Sequence, residues 1–387
     1  MPLLVECNLV SRLKGIGNNL LKQVLGGSQR LDSVHVIPGD AKNKLVEEIV
    51  DSSALRYGVV EIYDADPSMR KRCLELGIPF ESLGFKEKTL LRQFLALLRY
   101  VFANRPRTLF LHSFYPSVFG IGLVLVCPFT KIISVRHHNQ VHLLSNNKKG
   151  ILLDKLVGRL SYKTIAVSNT VKETLVNQGC KQDKVVVIYN GIRCSDQSSE
   201  KLFPTTSNPP LRLLAAGRLD WQKNYETMLL VAAELKRNNI DFSLSIIGSG
   251  GEAYSSKLFE MTRGLDLDDK VKWLGWQNSI EYWFSQSDIF LHTALDEACP
   301  LVIIEALLYG IPVVTSDAGG SGEIIRGFYS GCPGRDVGAF TKEIISTWSQ
   351  IPESRLKSQS LVPMAEKKFG AETMRNAYES ITLAYLH

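Results

Sequence analysis

The sequence predicts an α/β protein made of two doubly wound domains, each built on a parallel sheet. Short apolar runs alternate with segments of helical periodicity along nearly the whole chain. Strands separated by helices favour parallel sheets that are covered on both faces. The alternation stops at a segment rich in Ser, Thr, Pro and Asn, residues 195–210, and then resumes. Such a composition is typical of a linker, and 387 residues suffice for two complete cores.

In the first half of the chain, seven apolar runs are predicted to be strands. They are residues 3–10, 34–37, 59–63, 108–111, 131–135, 164–167 and 185–189. They are mostly apolar, and the segments between them have helical periodicity. Residues 1–192 are therefore predicted to form the first domain, with residues 193–210 as the linker.

The second half repeats the pattern with five further strands. They are residues 211–216, 242–247, 271–274, 289–291 and 312–315. The second domain is predicted to cover residues 211–369, and residues 364–386 have the periodicity of a closing helix.

The composition narrows the class of protein. With 45% hydrophobic and 22% charged residues, the chain is an ordinary globular one. Its 7 cysteines show neither a Cys-x-x-Cys pair nor zinc-site spacing, which indicates a reducing compartment and no structural metal. The N-terminus lacks the pattern of a signal peptide, and the most apolar run, residues 118–129, is too short to span a bilayer. A cytoplasmic location is expected.

Charge is distributed unevenly between the halves. Residues 1–190 hold 26 Lys and Arg against 15 Asp and Glu, a net charge of +11, whereas residues 191–387 carry a net charge of −5. A basic half favours an anionic partner surface. No nucleic-acid recognition motif accompanies it, so nucleic acid is not an expected partner.

Two carboxylates mark the stretch from Ser287 to Gly322 as the candidate site. Glu297 lies in a loop after a buried strand, and Glu305 lies inside the helix 301–309 among apolar residues. Pro300 fits the first helical position, and Gly310 fits the end of the helix. A buried carboxylate needs hydrogen-bond donors, which a ribose diol would supply to Glu305. The helix start would hold a phosphate, close to Glu297. The alternative is that Glu305 reaches solvent and Glu297 is a surface charge.

A second motif, which is basic, follows the first strand of the second half. Arg218 and Lys223 lie five residues apart across a strand-to-helix turn that begins at Gly217. Arg binds phosphate bidentately and Lys binds it as a point charge, so both side chains suit one diphosphate. No Asp-x-Asp motif is found where Mg²⁺ or Mn²⁺ would be expected, so the site is predicted to need no metal.

The pair of glutamates separated by seven residues, followed by Gly-Ile-Pro-Val-Val-Thr-Ser and a Gly-Gly loop, resembles the retaining glycosyltransferases of family 4. The resemblance covers nearly the whole chain and is strongest over residues 163–192 and 211–326. It implies the GT-B fold, in which two Rossmann-like domains face a central cleft and a C-terminal helix, here about residues 370–387, rejoins the first domain. It implies donor contacts at Gly217, Arg218, Lys223, Gly248, Trp276, Glu297, Cys299, Pro300, Leu301 and Glu305. It also implies close packing of Gly319-Gly320 beside the phosphates.

In the first half, the resemblance implies two further site elements. Gly15 and Gly17, after the first predicted strand, would let the backbone approach a ligand, although a plain tight turn explains them as well. A histidine after the strand 131–135 would lie where sugar meets acceptor. Strand register favours His137, with His138 and His112 as alternatives that a purely structural role also explains.

The segment from Phe85 to Arg107 has two interpretations. Its apolar residues fall at helical spacing and are surrounded by Lys and Arg, as in a helix that lies on an anionic membrane surface. A core-packing helix with a solvated basic face produces the same pattern.

Together these features predict a retaining, metal-independent glycosyltransferase with no cofactor. The donor would be a nucleotide-diphosphate hexose, with uridine preferred from family frequency, and the acceptor a saccharide or a lipid-linked saccharide at the inner face of the membrane. Glu297, His137, Arg218 and Lys223 would carry the chemistry. Three alternatives remain at this point: a non-catalytic partner protein with the same fold, a GT-B epimerase or phosphorylase, and, distantly, a nucleic-acid binder.

Overall fold

The computed structural model describes residues 30–39, 44–51, 55–63, 67–86, 89–193 and 210–385. These residues form two parallel sheets, of seven and five strands, with helices packed on them. The predicted α/β class with two doubly wound domains is confirmed. The predicted strand 3–10, the glycines Gly15 and Gly17, and nearly all of the predicted linker lie outside the described residues.

The first sheet has the strand order β3-β2-β1-β4-β5-β6-β7. Its strands are β1 (Ser33–Ile37), β2 (Tyr57–Tyr63), β3 (Phe80–Phe85), β4 (Thr108–His112), β5 (Lys131–Arg136), β6 (Lys163–Ala166) and β7 (Val185–Val187). The helices between them are α1 (Lys44–Val50), α2 (Pro67–Glu75), α3 (Leu90–Asn104), α4 (Phe114–Val126), α5 (Val141–Leu144), α6 (Lys148–Leu160) and α7 (Asn169–Asn177). The central strands β1 and β4 are buried along their whole length, including their polar residues Ser33, His35, Thr108 and His112.

The second sheet has the strand order β10-β9-β8-β11-β12. Its strands are β8 (Leu211–Ala216), β9 (Phe242–Ile247), β10 (Val271–Trp273), β11 (Ile289–His292) and β12 (Val313–Thr315). The helices that follow are α8 (Tyr225–Arg237), α9 (Glu252–Gly264), α10 (Glu281–Ser285), α11 (Leu301–Tyr309), α12 (Gly319–Ile325), α13 (Val337–Ser349), α14 (Ile351–Ser360), α15 (Val362–Phe369) and α16 (Ala371–Leu383).

Both sheets reverse their strand order at one point. In the first sheet the reversal lies between β1 and β4, and in the second it lies between β8 and β11. Ligands of open α/β sheets bind beyond the carboxyl ends of the strands at such a point. The segments after β4, β8 and β11 are therefore where a site is expected. Those after β8 and β11 carry Lys223 and Glu297, whereas His137 follows β5.

Two sequence predictions need correction. The strand β3 was not predicted, because this edge strand is only partly buried and mixes polar with apolar residues. The single closing helix predicted over residues 364–386 is two helices, α15 and α16, that meet at Gly370. Gly370 is extended (φ −68°, ψ 147°), and its amide bonds to the carbonyl of Glu366.

The last helix, α16, packs on the first domain. Arg375 donates from Nε to the carbonyl of Glu48 at the end of α1. Tyr378 packs its ring against Phe110 of β4 at a centroid distance of 5.3 Å. The backbone of Ile192 pairs with that of Gly370 just before the helix. The chain thus passes from the second domain back to the first.

Candidate active site

The loop between β11 and α11 is the centre of the site. α11 spans Leu301–Tyr309 as predicted, and Gly310 ends it in the left-handed conformation with φ 74°. Pro300 is the residue that precedes the helix, with φ −70° and ψ 109°, rather than its first helical residue. The helix start therefore faces the loop that carries Glu297, and its first amide groups are directed towards that loop.

Glu297 is held between two basic side chains. Its Oε1 forms an ion pair with Lys223 Nζ. His292 Nε2 at the end of β11 lies 3.3 Å from the same oxygen but is not aligned for a hydrogen bond. Burial would raise the pKa of Glu297, but the Lys223 charge outweighs it and lowers the pKa to about 2. The carboxyl group is therefore ionised throughout the physiological pH range.

Hydrogen bonds between side chains and the backbone hold Lys223 opposite the loop that carries Glu297. Lys223 ends a short 3₁₀ turn, Trp221–Lys223, that follows β8, and Asp220 caps this turn by accepting from the amide of Gln222 at 3.1 Å. Asn224 then takes the left-handed conformation, and its side-chain amide donates to the carbonyl of Thr293 at 3.1 Å. The turns after β8 and β11 are thereby joined at the point where the strand order reverses.

Glycines allow the loops of the site to approach one another closely. Gly248 has φ 138°, and a Cβ there would lie 1.9 Å from the carbonyl oxygen of Gly217. A Cβ at Gly320 would lie 2.1 Å from the carbonyl oxygen of Ala298. The amide of Gly320 donates to the carbonyl of Glu297 at 2.7 Å. The Gly-Gly loop predicted from the sequence thus supports the backbone of the Glu297 loop directly.

The remaining predicted donor residues differ in position. Arg218 is 68% exposed and pairs with Asp220 at 3.1 Å, so the structure does not bring it to Glu297. Trp276 is also mostly exposed. Glu305 is partly exposed rather than buried, which removes the argument that it needs buried donors.

Two predicted residues beside the helix start lie deeper. Cys299 is buried, and burial raises the pKa of its thiol to about 12. Its carbonyl accepts from Asn190 Nδ2 of the first domain at 3.2 Å. Leu301 is half-buried at the first helical position.

On the first domain, two of the three candidate histidines contact each other and the third contacts a carboxylate. His137 Nε2 lies 3.3 Å from His112 Nδ1. His138 instead contacts Asp154, with Nε2 3.2 Å from Oδ1. Burial lowers the pKa of all three imidazoles, that of His137 to about 4, so they are neutral at neutral pH.

His138, His142 and Asp154 are close enough together to hold a metal ion. However, the charge of Arg136 lies 3.2 Å from Asp154, and both imidazoles already lie within 3.0–3.2 Å of the same carboxylate. Burial opposes ionisation of Asp154, but the bond to His138 and the charge of Arg136 prevail and lower its pKa. This arrangement satisfies the buried carboxylate with protein donors, so it fits a structural network better than a cation site.

Two residues that sequence reasoning missed join the site. Asp296, next to Glu297, accepts from Asn139 Nδ2 at 2.6 Å and from the amide of Gln140 at 3.2 Å. It therefore joins the second domain to the loop after β5, residues 137–140, which we call the histidine loop of the first domain. His292 is the other residue. The signal for both was present, since each polar residue lies at or just after the end of a buried parallel strand.

Two family models match the chain, one in each half. The family model described as Glycosyltransferase Family 4 matches residues 54–196, and the model described as Glycosyl transferases group 1 matches residues 198–356. The lipopolysaccharide 1,6-galactosyltransferase of Escherichia coli is 26% identical over 171 residues, which are 42% of this chain and 45% of that enzyme.

Two further proteins extend the comparison. An N-acetylgalactosaminyltransferase of Campylobacter jejuni that acts on a diphospho-undecaprenol-linked sugar is 26% identical over 246 residues, 62% of this chain and 63% of that one. Both enzymes are thus matched over less than two thirds of their length. The crystal structure of Anabaena HepE with UDP and glucose has a TM-score of 0.75 at 16% identity and covers 92% of this chain and 100% of that one. This likeness establishes the GT-B fold.

No helix among the described residues has both the length and the apolar character needed to cross a bilayer.

Proposed function

The chain belongs to the GT-B glycosyltransferases of family 4, and on that premise we propose that it transfers a hexose, with retention, from a nucleotide-diphosphate sugar to a saccharide or lipid-linked acceptor. The observation that carries the proposal is the ionised Glu297, which pairs with Lys223 in front of the start of α11 where the second sheet reverses its strand order. The carboxylate suits the hydroxyl groups of a sugar. The lysine and the helix start suit a diphosphate and the negative charge that it gains as it leaves.

Catalysis would be electrostatic at the leaving group. As the bond between the anomeric carbon and the diphosphate oxygen breaks, negative charge grows on the diphosphate, which Lys223 and the amide groups of α11 would stabilise. Arg218 is exposed on the same turn and would move to the diphosphate when the donor binds. Glu297 would hold the sugar through its hydroxyl groups.

The remaining steps need no side-chain base. The acceptor oxygen would bond to the anomeric carbon from the face that the diphosphate leaves, and a phosphate oxygen of the donor would take the acceptor's proton. The products are then the new glycoside and a nucleoside diphosphate. Glu305, partly exposed on α11, would hold the ribose hydroxyls. Each of these steps proceeds without metal or cofactor.

The acceptor would meet the first domain. His137 follows β5 at the carboxyl edge of the first sheet. This half of the chain is strongly basic, and the outer side of α3 exposes Leu90, Leu91, Leu95 and Phe102. Cationic and apolar groups together suit an anionic membrane surface, which favours a lipid-linked saccharide. Assembly of a lipopolysaccharide or another polysaccharide is the corresponding role, with the protein at the cytoplasmic face.

Thermal unfolding with UDP, GDP, ADP and CMP, each with EDTA and then with Mg²⁺, tests the donor site. A ligand at 100 times its Kd stabilises the folded state by about 2.7 kcal/mol, which gives a clear rise in Tm. We expect a rise with UDP that is the same in EDTA. No rise with any nucleotide would overturn the donor site and favour a non-catalytic partner, and a rise that needs Mg²⁺ would overturn metal independence.

The anomeric configuration of the product, read by NMR after transfer from the UDP-sugar, tests retention. We expect the product to keep the donor's α configuration. An inverted product would contradict the assigned mechanism, and free sugar or a new epimer formed without any acceptor would point to an epimerase instead.

A further inference from the structure

A continuous line of hydrogen bonds runs through the interior of the first domain to His137. Ser33 Oγ lies 3.3 Å from His35 Nε2, and His35 Nδ1 lies 2.9 Å from His112 Nε2. His112 Nδ1 lies 3.3 Å from His137 Nε2. The line thus joins one hydroxyl and three imidazoles. His35 and His112 each use Nε2 towards Ser33 and Nδ1 towards His137, and His137 joins the line through Nε2.

The register of the sheet explains how the line forms. His35 on β1 pairs in register with Phe110 on β4, and His112 lies two residues beyond that point. His112 pairs with Val135 on β5, and His137 again lies two residues beyond. Side chains two residues apart share one face of a strand. Each histidine is therefore one strand across and two residues closer to the carboxyl edge of the sheet than the last.

The inner part of the line is closed off from water. His35 and His112 are buried, and their rings stack against neighbours on the same face. Phe110 lies 4.8 Å from the His35 ring, and Tyr378 of α16 lies 6.2 Å from the His112 ring. Burial holds the pKa of each imidazole below its ordinary value, and that of His35 is lowered to about 3. All three are neutral at neutral pH, so each carries one N–H.

One N–H on each ring couples the three tautomers. If Ser33 donates to His35 Nε2, then His35, His112 and His137 must all carry their proton on Nδ1. If Ser33 accepts, all three must carry it on Nε2. The Ser33 side chain is buried, and His35 Nε2 is its one hydrogen-bond partner among the described residues. Its hydroxyl proton is satisfied only when it donates, which selects the Nδ1–H tautomer.

We propose that Ser33, His35 and His112 are positioning residues that fix His137 as the Nδ1–H tautomer, so that it offers the transferred sugar a hydrogen-bond donor. The described residues supply no hydrogen-bond partner to His137 Nδ1, which leaves that N–H for a ligand. The contact with the sugar rests on the proposed function, whereas the tautomer does not.

NMR of the whole protein with ¹⁵N-labelled histidine tests the tautomer without substrate. The 7 histidines are assigned by single substitution, and the two tautomers have distinct ¹⁵N shifts and couplings. We expect His35, His112 and His137 to share the Nδ1–H pattern, which is the minor form of a free histidine in water. Mixed tautomers among the three, or a shared Nε2–H pattern, would overturn the proposal.

The variant Ser33→Ala removes the group that orders the line at a distance from the cleft. We expect His137 to shift towards Nε2–H and the donor KM to rise roughly three- to tenfold, the range for one neutral hydrogen bond, with Tm little changed. Tyr378→Phe is the matched control, because it keeps the stacked ring and removes a hydroxyl that is outside the line. An unchanged His137 tautomer in Ser33→Ala would overturn the proposal that the line of hydrogen bonds fixes it.

The kinetic readout separates this inference from the proposed function. If Ser33→Ala shifts the tautomer but leaves the donor KM unchanged while the native protein transfers sugar, the contact between His137 and the sugar is wrong and glycosyl transfer stands. If the native protein transfers no sugar, the proposed function fails, and so does the role assigned to His137.

Discussion

At the scale of the residue, the charge on Glu297 has a consequence for stability as well as for chemistry. Its folded-state pKa of about 2 lies below its ordinary value of 4.5. A carboxyl group with a lowered pKa stabilises the fold fully above the ordinary value and loses that stabilisation as the pH falls towards the folded value. For a shift of this size the contribution is on the order of 3 kcal/mol.

We therefore predict that Glu297→Gln is destabilised relative to the native protein at pH 6 and that the difference in unfolding free energy narrows between pH 5 and pH 2.5. Urea unfolding at several pH values measures it. Glu260→Gln, which neutralises an exposed glutamate on α9, is the control and should show a small, constant difference. A difference for Glu297→Gln that does not vary with pH would contradict the ion pair with Lys223.

Residue chemistry explains which site residues the sequence could predict. Glu297 and Lys223 were found because a carboxylate and a cation follow strands of the expected sheet, and the structure joins them in one ion pair. The exposure of Arg218 depends on the side-chain direction after a turn, which local sequence does not fix. The position of Asp296 after a buried strand was a signal, but its role could not be predicted because its partners, Asn139 and Gln140, lie more than 150 residues away in the other domain.

At the scale of the element, the Gly-Gly start of α12 supports the Glu297 loop. We predict that Gly320→Ala lowers the unfolding free energy by roughly 2 kcal/mol or more, because its Cβ would lie 2.1 Å from the Ala298 carbonyl oxygen and the backbone must move. Transfer activity should fall further than stability does, since the displaced loop carries Glu297. Urea unfolding and initial rates measure the two effects.

Gly338→Ala on α13 is the matched control, because a Cβ there meets only Asp336 Oδ1 at 3.4 Å. The free energy of unfolding should hold or rise by up to about 1 kcal/mol, as expected when alanine replaces glycine within a helix. If both variants behaved alike, the close approach of Gly320 to Ala298 would not be what supports the loop.

The helix α3 packs on the first domain with one side and exposes apolar residues on the other. One side buries Gln93, Leu97, Tyr100 and Val101 against the first domain, while Leu91 and Leu95 on the outer side are 71% and 52% exposed. We predict that the double variant Leu91→Ser, Leu95→Ser binds anionic phosphatidylglycerol vesicles at least roughly tenfold more weakly than the native protein, because apolar side chains at an interface add to the attraction of the basic residues. Co-sedimentation at two salt concentrations measures this.

The control for α3 replaces two exposed leucines elsewhere, Leu74 on α2 and Leu356 on α14. That double variant should sediment with vesicles as the native protein does. Equal loss in both double variants, or no vesicle binding by the native protein, would remove the membrane interpretation of α3.

Elements were predicted well where the pattern is strong and poorly where it is mixed. The helix Leu301–Tyr309 has its predicted bounds, because an apolar run ends at a glycine that takes a left-handed conformation. The edge strand β3 has one covered face at most and alternates irregularly, so no periodicity marked it. The break at Gly370 was missed because the pairing of Ile192 with Gly370 is a long-range contact that periodicity does not record.

At the scale of the whole molecule, polar contacts join the two domains on both sides of the loop that carries Glu297. Asp296 binds the histidine loop of the first domain, and Asn190 binds the carbonyl of Cys299. Glu323 on α12 binds the start of α7. Polar interfaces between domains are typical of those that open and close. We therefore expect the two domains to move relative to one another through contacts that can break and form again.

Glu323 makes the densest of these contacts. Its two oxygens accept from the amides of Asn169 and Thr170, both at 2.7 Å, and from the Tyr189 hydroxyl at 2.6 Å. Burial opposes its ionisation, but these hydrogen bonds prevail and lower its pKa below the ordinary 4.5. The charge also lies at the positive end of α7, which strengthens the contact. The contact should thus be complete above pH 4.5 and weaken as the pH falls below it.

We predict that Glu323→Gln loosens the pairing of the domains at neutral pH, because the amide can accept fewer hydrogen bonds from these donors and carries no charge. Small-angle scattering should show a larger radius of gyration for the variant at pH 7, and the native protein should approach that value on acidification below pH 4.5, before it unfolds. Glu372→Gln, an exposed position on α16, is the control for the change in charge and should scatter as the native protein does. If Glu323→Gln kept the native radius at every pH, the other contacts between the domains would suffice to hold them together, and Glu323 would serve only to cap α7.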